Sequence, residues 1–284
     1  MPLHPALTSG RAAVITGAAS GIGLAVAEKL AALGMKVCLS DIDAAALQSA
    51  AASVSKFART AGNVIFVPAD VCKEQDVERL KDSAYAAFGE VAFLMNNAGV
   101  GGSGGLFGRA ADWHRILNAN LWGVIHGIQT FAPAMLRQGT DCAIVNTGSK
   151  QGITCPPGDT AYNLSKAGVK VVTEALAHEL RNAPGGRVSA HLLIPGFTFT
   201  GMTGAQVKPD AAWTPAQVAD FMIEAMSAGD FYILCPDNSV TRRMDELRVL
   251  WSAGDIVENR PALSRWHKDY EAKFAEYMKD GLAR

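Results

Sequence analysis

The sequence predicts an α/β fold in which a doubly wound parallel β-sheet carries helices on both faces. Short apolar segments alternate with helical segments along most of the chain, as in parallel sheets whose strands are joined by helical crossovers. Such crossovers are right-handed. Ligands of these sheets bind at the carboxyl ends of the strands, and Gly17, Asp41, Asp70, Asn97 and Ser149 all fall at such ends. We therefore expect the functional site at this edge.

Composition excludes several classes of function. The 284 residues fit a single α/β domain, and a net charge of −1 without a basic stripe predicts no nucleic-acid partner. The five scattered cysteines contain no CxxC, and the six histidines form no cluster, so neither a disulfide framework nor a metal site is predicted. Reduced thiols and an N-terminus unlike a signal peptide predict a cytoplasmic protein. No apolar run is long enough to predict a membrane span.

A glycine-rich turn follows the first predicted strand, Ala12–Thr16, and precedes a helix ending near Gly34. Such a turn lets the backbone approach a pyrophosphate, and the helix N-terminus supplies amide donors. The spacing is GxxxGxG and differs from GxGxxG, so a tight turn without a ligand is the alternative. The residues predicted here to bind a dinucleotide are Gly17, Ser20, Gly21, Ile22 and Gly23.

The second predicted strand, Lys36–Asp41, ends in a carboxylate. An acid at this position accepts hydrogen bonds from the adenosine ribose, and it would repel a 2′-phosphate. Neither Ser20 nor Ile42 supplies an arginine that would offset this repulsion. The sequence therefore favours NAD over NADP. Asp43 is a competing candidate, but we expect it to cap the helix over residues 44–58.

A serine, a tyrosine and a lysine define the candidate chemistry. Ser149 ends the strand-like run CAIVNTGS, and a helix is predicted after Asp159. On this helix Tyr162 and Lys166 lie at i and i+4 and share one face. A close ammonium lowers the pKa of a phenol, which brings it nearer to that of a general base. A lone YxxxK pattern is common, so the surrounding motifs carry the weight.

Those motifs resemble the short-chain dehydrogenase/reductase family over roughly residues 10–236. They are TGAASGIG from Thr16, Asp41, Asp70-Val71, NNAG at 96–99, Asn120 in NANLWG, Ser149, Tyr162 to Lys166, and Pro195-Gly196 followed by Thr200. The resemblance implies a Rossmann-like fold. It also implies an enzyme that transfers hydride between a secondary alcohol and a carbonyl with NAD(P).

The resemblance also assigns roles to single residues. Tyr162 would be the general acid/base, and Lys166 would lower its pKa and hold the nicotinamide ribose. Ser149 would orient the substrate oxygen, and Asn120 would hold a water that relays protons. The remaining cofactor contacts that it implies are Asp70 and Val71 at the adenine, Asn97 and Gly99 near the inner ribose, and Pro195, Gly196, Thr198 and Thr200 at the nicotinamide.

Two other functions remain open at this point. One is an NADP-dependent carbonyl or 3-oxoacyl reductase, against which Asp41 argues. The other is a dinucleotide-binding sensor or scaffold without turnover, which has no need of Tyr162 or Lys166. Taken singly, each site residue also has an ordinary structural interpretation. Ser149 could cap a turn, and Asn120 could be a buried structural amide.

The C-terminal part departs from the family pattern, which often ends soon after the strand near Tyr232. We predict a Rossmann-like dehydrogenase domain over 1–236 and a helical extension over 237–284. The extension would pack on this domain or on a neighbouring subunit, or cover the substrate mouth. Helices are predicted at 241–252 and 264–278, with apolar stripes.

The segment 201–213 corresponds to the family's substrate loop, and the GGSGG run at 101–105 is predicted to be a loop near the same mouth. The aromatic and apolar residues Phe197, Phe199, Met202 and Trp213 suggest an apolar or aromatic alcohol or ketone as substrate, although they could equally pack in the core. The resemblance implies a homodimer or homotetramer formed through the helices at 120–137 and 159–182.

Overall fold

A parallel sheet forms the centre of the protein. The computed structural model describes residues 2–102 and 104–283, so Ser103 of the predicted 101–105 loop lies outside the described residues. Within them the sheet has seven strands in the order β3-β2-β1-β4-β5-β6-β7, all paired in parallel. The strands are β1 Ala12–Thr16, β2 Lys36–Asp41, β3 Val64–Pro68, β4 Phe93–Asn96, β5 Cys142–Thr147, β6 Val188–Ile194 and β7 Tyr232–Leu234. The strand order reverses between β1 and β4, which places a crevice at their carboxyl ends.

Helices connect the strands and continue beyond the last one. They are α1 Gly21–Ala32, α2 Ala44–Ser55, α3 Glu74–Phe88, α4 Ala110–Leu117, α5 Gly123–Arg137, α6 Gln151–Thr154, α7 Thr160–Asn182, α8 Pro215–Ala228, α9 Arg242–Val257 and α10 Glu271–Ala283. A π-helical stretch, Asn118–Trp122, joins α4 to α5. Across residues 2–102 and 104–283, no helix has the length and apolar character needed to cross a membrane.

Both faces of the sheet are buried, which explains why its central strands are continuous apolar runs. Ile15 of β1 lies in an apolar cluster with Leu30 of α1 and Met222 of α8. Val14, the preceding residue, points to the opposite face and joins a cluster with Phe131 of α5. The predicted doubly wound α/β fold is therefore confirmed.

Capping side chains mark the starts of two helices. The Asp43 carboxylate accepts hydrogen bonds from the backbone N–H groups of Ala45 and Ala46 at 3.1 and 3.0 Å, so it caps α2 as expected. Thr214 caps α8 in a reciprocal arrangement with Gln217, which satisfies two amide donors at the helix start.

The end of the chain is helical, as predicted, but the predicted helix 264–278 is wrong over its first turns. Residues 264–266 and 268–270 form two separate 3-10 turns, and α10 begins only at Glu271. The Ser264 side chain explains this difference. The Ser264 hydroxyl accepts a hydrogen bond from the Trp251 indole N–H at 2.8 Å, and the Ser264 backbone N–H donates to the Asp255 carboxylate at 3.0 Å. These bonds to side chains replace the backbone hydrogen bonds of a helix.

Candidate active site

A cleft of about 800 Å³ opens at the carboxyl ends of the central strands. Most residues predicted for the site line it. These are Gly17, Ser20, Gly21, Ile22, Asp41, Asn97, Gly99, Ser149, Tyr162, Lys166, Pro195, Gly196, Thr198 and Thr200. Four predicted residues are outside the lining, namely Gly23, Asp70, Val71 and Asn120.

The turn between β1 and α1 forms a narrow backbone cradle. Gly17 has a φ of +64°, and a Cβ atom there would lie 2.7 Å from the Cα of Ala98. A Cβ on Gly23 would lie 2.3 Å from the carbonyl oxygen of Gly17, so Gly23 supports the turn from behind. Only glycine fits at both positions. The exposed amide groups at the start of α1 then suit a pyrophosphate.

Asp41 lies beside this turn at the end of β2. Its carboxylate accepts hydrogen bonds from the backbone N–H groups of Ala19 at 3.1 Å and Asp43 at 3.2 Å. These two bonds fix the carboxylate toward the cleft and leave it lone pairs for further donors. Ile42, the next residue, is largely exposed and offers no positive charge. The free acceptor positions of the Asp41 carboxylate therefore fit a ribose diol, whose hydroxyls can donate to them.

Asn97 ties three strands together at the cleft floor. Its side-chain amide donates to the carbonyl oxygens of Thr16 and Gly17 at 3.1 and 3.2 Å. Its side-chain oxygen accepts from the Thr147 hydroxyl at 3.3 Å. This bonding holds the glycine turn in register with the end of β5.

Lys166 lies at the bottom of the cleft and is almost completely buried. Its ammonium donates to the backbone carbonyl of Thr147 at 2.7 Å and lies 5.8 Å from the centre of the Tyr162 ring. Burial lowers its pKa from 10.5 to about 8, because a charged group loses hydration there. The predicted shared face of Tyr162 and Lys166 on α7 is present.

Tyr162 brings a desolvated phenol into the cleft. Burial raises its pKa above the ordinary value of 10.0; the Ser149 hydroxyl opposes this rise, and the charge of Asp159 adds to it. The Lys166 ammonium donates to the Thr147 carbonyl and is not among the groups that shift the pKa of Tyr162, so the predicted lowering of that pKa by Lys166 stays a prediction. A phenol, a hydroxyl and an ammonium on one cleft wall can exchange a proton with a bound alcohol or carbonyl.

Asn120 supports the cleft from outside. It lies fully buried in the π-helical stretch, and its side-chain oxygen accepts from the Val100 N–H at 2.7 Å. Its amide donates to the Val100 carbonyl at 3.0 Å and to the Ser165 hydroxyl at 3.1 Å. Both amide hydrogens are therefore used within the protein, so a water-holding role for this residue stays a prediction.

Asp70 and Val71 lie past the end of β3, beyond the cleft lining. The Asp70 carboxylate accepts from the backbone N–H of Cys72 at 3.0 Å. The Val71 side chain packs so closely on Gly123 of α5 that a Cβ there would lie 2.7 Å from it. Their adenine contacts stay predictions.

The loop after β6 is braced at its base. The backbone N–H of Phe199 donates to the Trp213 carbonyl at 2.8 Å, and that of Trp213 donates to the Phe197 carbonyl at 2.9 Å. Phe197 and Met202 line the cleft and are about half exposed. Trp213 instead packs on Phe221. Of the four residues suggested to contact substrate, only Phe197 and Met202 face the cleft.

Several cleft residues were missed by sequence reasoning. They are Val100, Gly101, Gly102, Thr147, Gly148, Lys150, Gln151, Asp159, Gly201 and Thr203, of which Gly101, Gly102, Gly201 and Thr203 lie in segments predicted to be loops near the substrate mouth. Most are immediate neighbours of predicted residues, which is the one signal that could have found them. Lys150 differs from the others. It directly follows Ser149, but its partners Asp237 and Asp245 are far away in the sequence, so no local pattern predicts them.

Known proteins with related sequences identify the family. The family model for short chain dehydrogenases matches residues 11–211. The chain belongs to the short-chain dehydrogenase family. A 1-deoxy-11-beta-hydroxypentalenate dehydrogenase of Streptomyces exfoliatus is 32% identical over 264 residues, 90% of this chain and 94% of the relative.

Solved structures agree with this assignment. A short chain dehydrogenase/reductase from Burkholderia phymatum in complex with NAD has a TM-score of 0.80 and 37% identity, covering 89% of this chain and 96% of that one. A 3-ketoacyl-(acyl-carrier-protein) reductase from Brucella melitensis complexed with NADH has a TM-score of 0.72 and 27% identity, covering 81% and 98%. Family members bind a nicotinamide dinucleotide, and this protein is an alcohol dehydrogenase or reductase acting on CH–OH groups.

Proposed function

We propose that the protein is an NAD-dependent oxidoreductase that interconverts a secondary alcohol and a ketone, with Tyr162 as the general acid/base. One observation carries the proposal. A single cleft holds the glycine turn at Gly17, the Asp41 carboxylate and the three polar groups of Ser149, Tyr162 and Lys166. A dinucleotide site and a proton-transfer site therefore share one space.

The glycine turn at Gly17 and the Asp41 carboxylate would hold a nicotinamide dinucleotide in this cleft, and the bound cofactor would supply the hydride acceptor for oxidation and the hydride donor for reduction. In the oxidative direction the Tyr162 phenolate takes the alcohol proton, and Ser149 donates a hydrogen bond to the substrate oxygen. The buried Lys166 ammonium stabilises the negative charge on the phenolate. Its hydrogen bond to Thr147 keeps it at the cleft floor, where it is available to a ribose hydroxyl.

The choice of NAD follows from charge. The Asp41 carboxylate is fixed by two backbone amides beside the glycine turn. A ribose diol can donate to its free lone pairs, whereas a 2′-phosphate there would place two anions in contact. The next residue, Ile42, is apolar and supplies no arginine that could reverse this preference.

The proposed substrate is an apolar secondary alcohol or its ketone. Phe197 and Met202 expose apolar surface to the cleft near Tyr162. The Streptomyces relative is named for a hydroxylated substrate, which supports the oxidation of a hydroxyl group. We further propose assembly into a homodimer or homotetramer through α7 and through α5 with the π-helical stretch that precedes it. Trp122 of this stretch and Leu164 and Val171 of α7 are exposed.

The test is NADH formation by the purified protein across a panel of secondary alcohols, with NAD and NADP run in parallel. Turnover of one alcohol class with NAD and little with NADP is the expected result. Turnover that favours NADP would contradict the role of Asp41 and support a carbonyl or oxoacyl reductase. Dinucleotide binding without turnover of any alcohol or ketone would contradict the enzymatic proposal and favour a sensor.

A further inference from the structure

Lys150 is held between two carboxylates from the C-terminal part of the chain. Its ammonium lies 2.6 Å from Asp245 of α9 and 3.3 Å from Asp237 in the loop after β7. The exposed fractions of the three side chains are 18% for Lys150, 6% for Asp245 and 5% for Asp237. Lys150 directly follows Ser149 and lines the cleft. A buried ion cluster thus joins the extension to the proposed catalytic serine.

The same cluster holds the loop after β6. The Asp237 oxygen that faces Lys150 also accepts a hydrogen bond from the backbone N–H of Phe197 at 3.2 Å. A Cβ on Gly196 would lie 2.7 Å from this oxygen and 2.8 Å from the Lys150 ammonium. The other Asp237 oxygen accepts from the Val240 N–H at 2.8 Å. Asp237 therefore fixes the Pro195–Thr200 stretch against the start of the extension.

Two arginines complete this cluster. The Arg248 guanidinium lies 3.7 Å from Asp245, and the charge of Arg265 also interacts with Asp245, so each carboxylate is compensated by positive charge. Both carboxylates engage the Lys150 ammonium, so this side chain is held against the extension at the edge of the cleft. Buried ion pairs add little net stability, since desolvation offsets their attraction, but removing one partner leaves an uncompensated charge. The consequence of this cluster is therefore positional.

We propose that Lys150 is a positioning residue that, through Asp237 and Asp245, sets the place of Ser149 and of the Pro195–Thr200 loop. This inference rests on the proposed function. It makes the C-terminal extension a structural part of the active-site wall. Displacing reacting groups by about 1 Å can cost on the order of 100-fold in rate, so loss of the cluster reduces catalysis although Lys150 touches no reacting atom.

The main experiment compares Lys150→Met with the wild-type protein in alcohol oxidation. We expect kcat/KM for the alcohol to fall roughly 10- to 100-fold, and the Kd for NAD to rise by a smaller factor, because only the nicotinamide end of the proposed cofactor site includes the Pro195–Thr200 stretch. The apparent pKa of the kcat/KM profile should rise, because a displaced Ser149 hydroxyl no longer lowers the pKa of Tyr162. Lys150→Arg should recover much of the loss. Arg242→Met is the matched control, since it breaks an exposed pair with Glu246 in the same helix α9.

A kcat/KM within twofold of wild type in folded Lys150→Met would overturn the inference. If the single variant does not fold, Lys150→Met with Asp245→Asn also removes the carboxylate that Lys150 leaves unpaired. Its kcat/KM should fall roughly 10- to 100-fold as well, and a value within twofold of wild type would overturn the inference. Hydrogen exchange gives a readout that does not need activity. Asp237→Asn should speed exchange of the 196–203 amides at least about tenfold, and unchanged exchange would also overturn the inference. Absence of turnover in the wild type would instead contradict the proposed function.

Discussion

The Lys166 ammonium donates a 2.7 Å hydrogen bond to the backbone carbonyl of Thr147. This bond ties the second turn of α7 to the last residue of β5. Tyr162 lies one helical turn earlier, and Ser149 follows two residues after the strand ends. One buried contact therefore brings the proposed acid/base, its cation and the proposed substrate-orienting hydroxyl to the same edge of the sheet.

Burial of this lysine predicts a pH-dependent stability. Its pKa is 10.5 in the unfolded chain and about 8 in the folded protein. Between these values the unfolded chain holds the proton and the folded chain does not, so the free energy of unfolding rises with pH. Below pH 8 the buried charge costs about 3 kcal/mol. Lys166→Met removes this cost.

We expect the wild type to gain up to about 3 kcal/mol relative to Lys166→Met between pH 7 and pH 10 in urea unfolding. Lys170→Met is the control, because Lys170 is a partly exposed lysine on the same helix and should follow the wild type. If the free energy of unfolding changed with pH in the same way in the wild type and in Lys166→Met, burial of the Lys166 charge would not be the cause of the pH dependence.

The raised pKa of Tyr162 predicts the pH profile of the reaction. Oxidation needs the phenolate, and burial disfavours that form in the free enzyme. The kcat/KM for alcohol oxidation should therefore rise from neutral to alkaline pH, since kcat/KM reports groups of the free enzyme. Ketone reduction needs the neutral phenol, which the raised pKa preserves, so its kcat/KM should stay flat over this range and fall only above about pH 10. An oxidation profile that declines above pH 7 would contradict this assignment.

Asp41 predicts a cofactor preference that can be changed. Asp41→Ser removes charge-assisted hydrogen bonds to the ribose, which should lower kcat/KM for NAD roughly 10- to 100-fold. Adding Ile42→Arg should raise kcat/KM for NADP at least about tenfold, because a guanidinium pairs well with phosphate. Steady-state rates with both cofactors measure this. An unchanged NAD to NADP ratio in Asp41→Ser would show that the carboxylate does not select.

The sequence was sufficient to predict the parts of the molecule that depend on local pattern. Strand β1, the glycine turn, the Asp43 cap and the Tyr162–Lys166 face follow from periodicity and fixed spacing. The cluster of Lys150 with Asp237 and Asp245 could not be predicted. Both carboxylates lie 87 or more residues after Lys150 in the chain, and they meet it only because the extension packs against the domain. The 3-10 turns at Ser264 could not be predicted either, because the hydrogen bond between Ser264 and the Trp251 indole overrides the helical periodicity.

Tight packing behind the glycine turn predicts the effect of Gly23→Ala. The added Cβ would lie 2.3 Å from the Gly17 carbonyl and 2.7 Å from the Asn97 amide, so the turn must move. Overpacking of this kind costs about 1–3 kcal/mol, and we expect both a lower Tm and a Kd for NAD raised at least tenfold. Gly62→Ala is the control, because no heavy atom lies within 4 Å of its added Cβ. Wild-type NAD affinity in Gly23→Ala would refute this role of the turn.

The central claim is that Tyr162 transfers the proton, and Tyr162→Phe tests it by removing one oxygen atom. The control is Tyr232→Phe, since the Tyr232 hydroxyl bonds to Glu174 on the surface and lies outside the cleft. NADH formation and NAD binding are measured on both variants. We expect turnover of Tyr162→Phe to fall about 10²- to 10⁴-fold with nearly unchanged NAD affinity, and Tyr232→Phe to behave as wild type. Undiminished turnover in Tyr162→Phe would contradict the account.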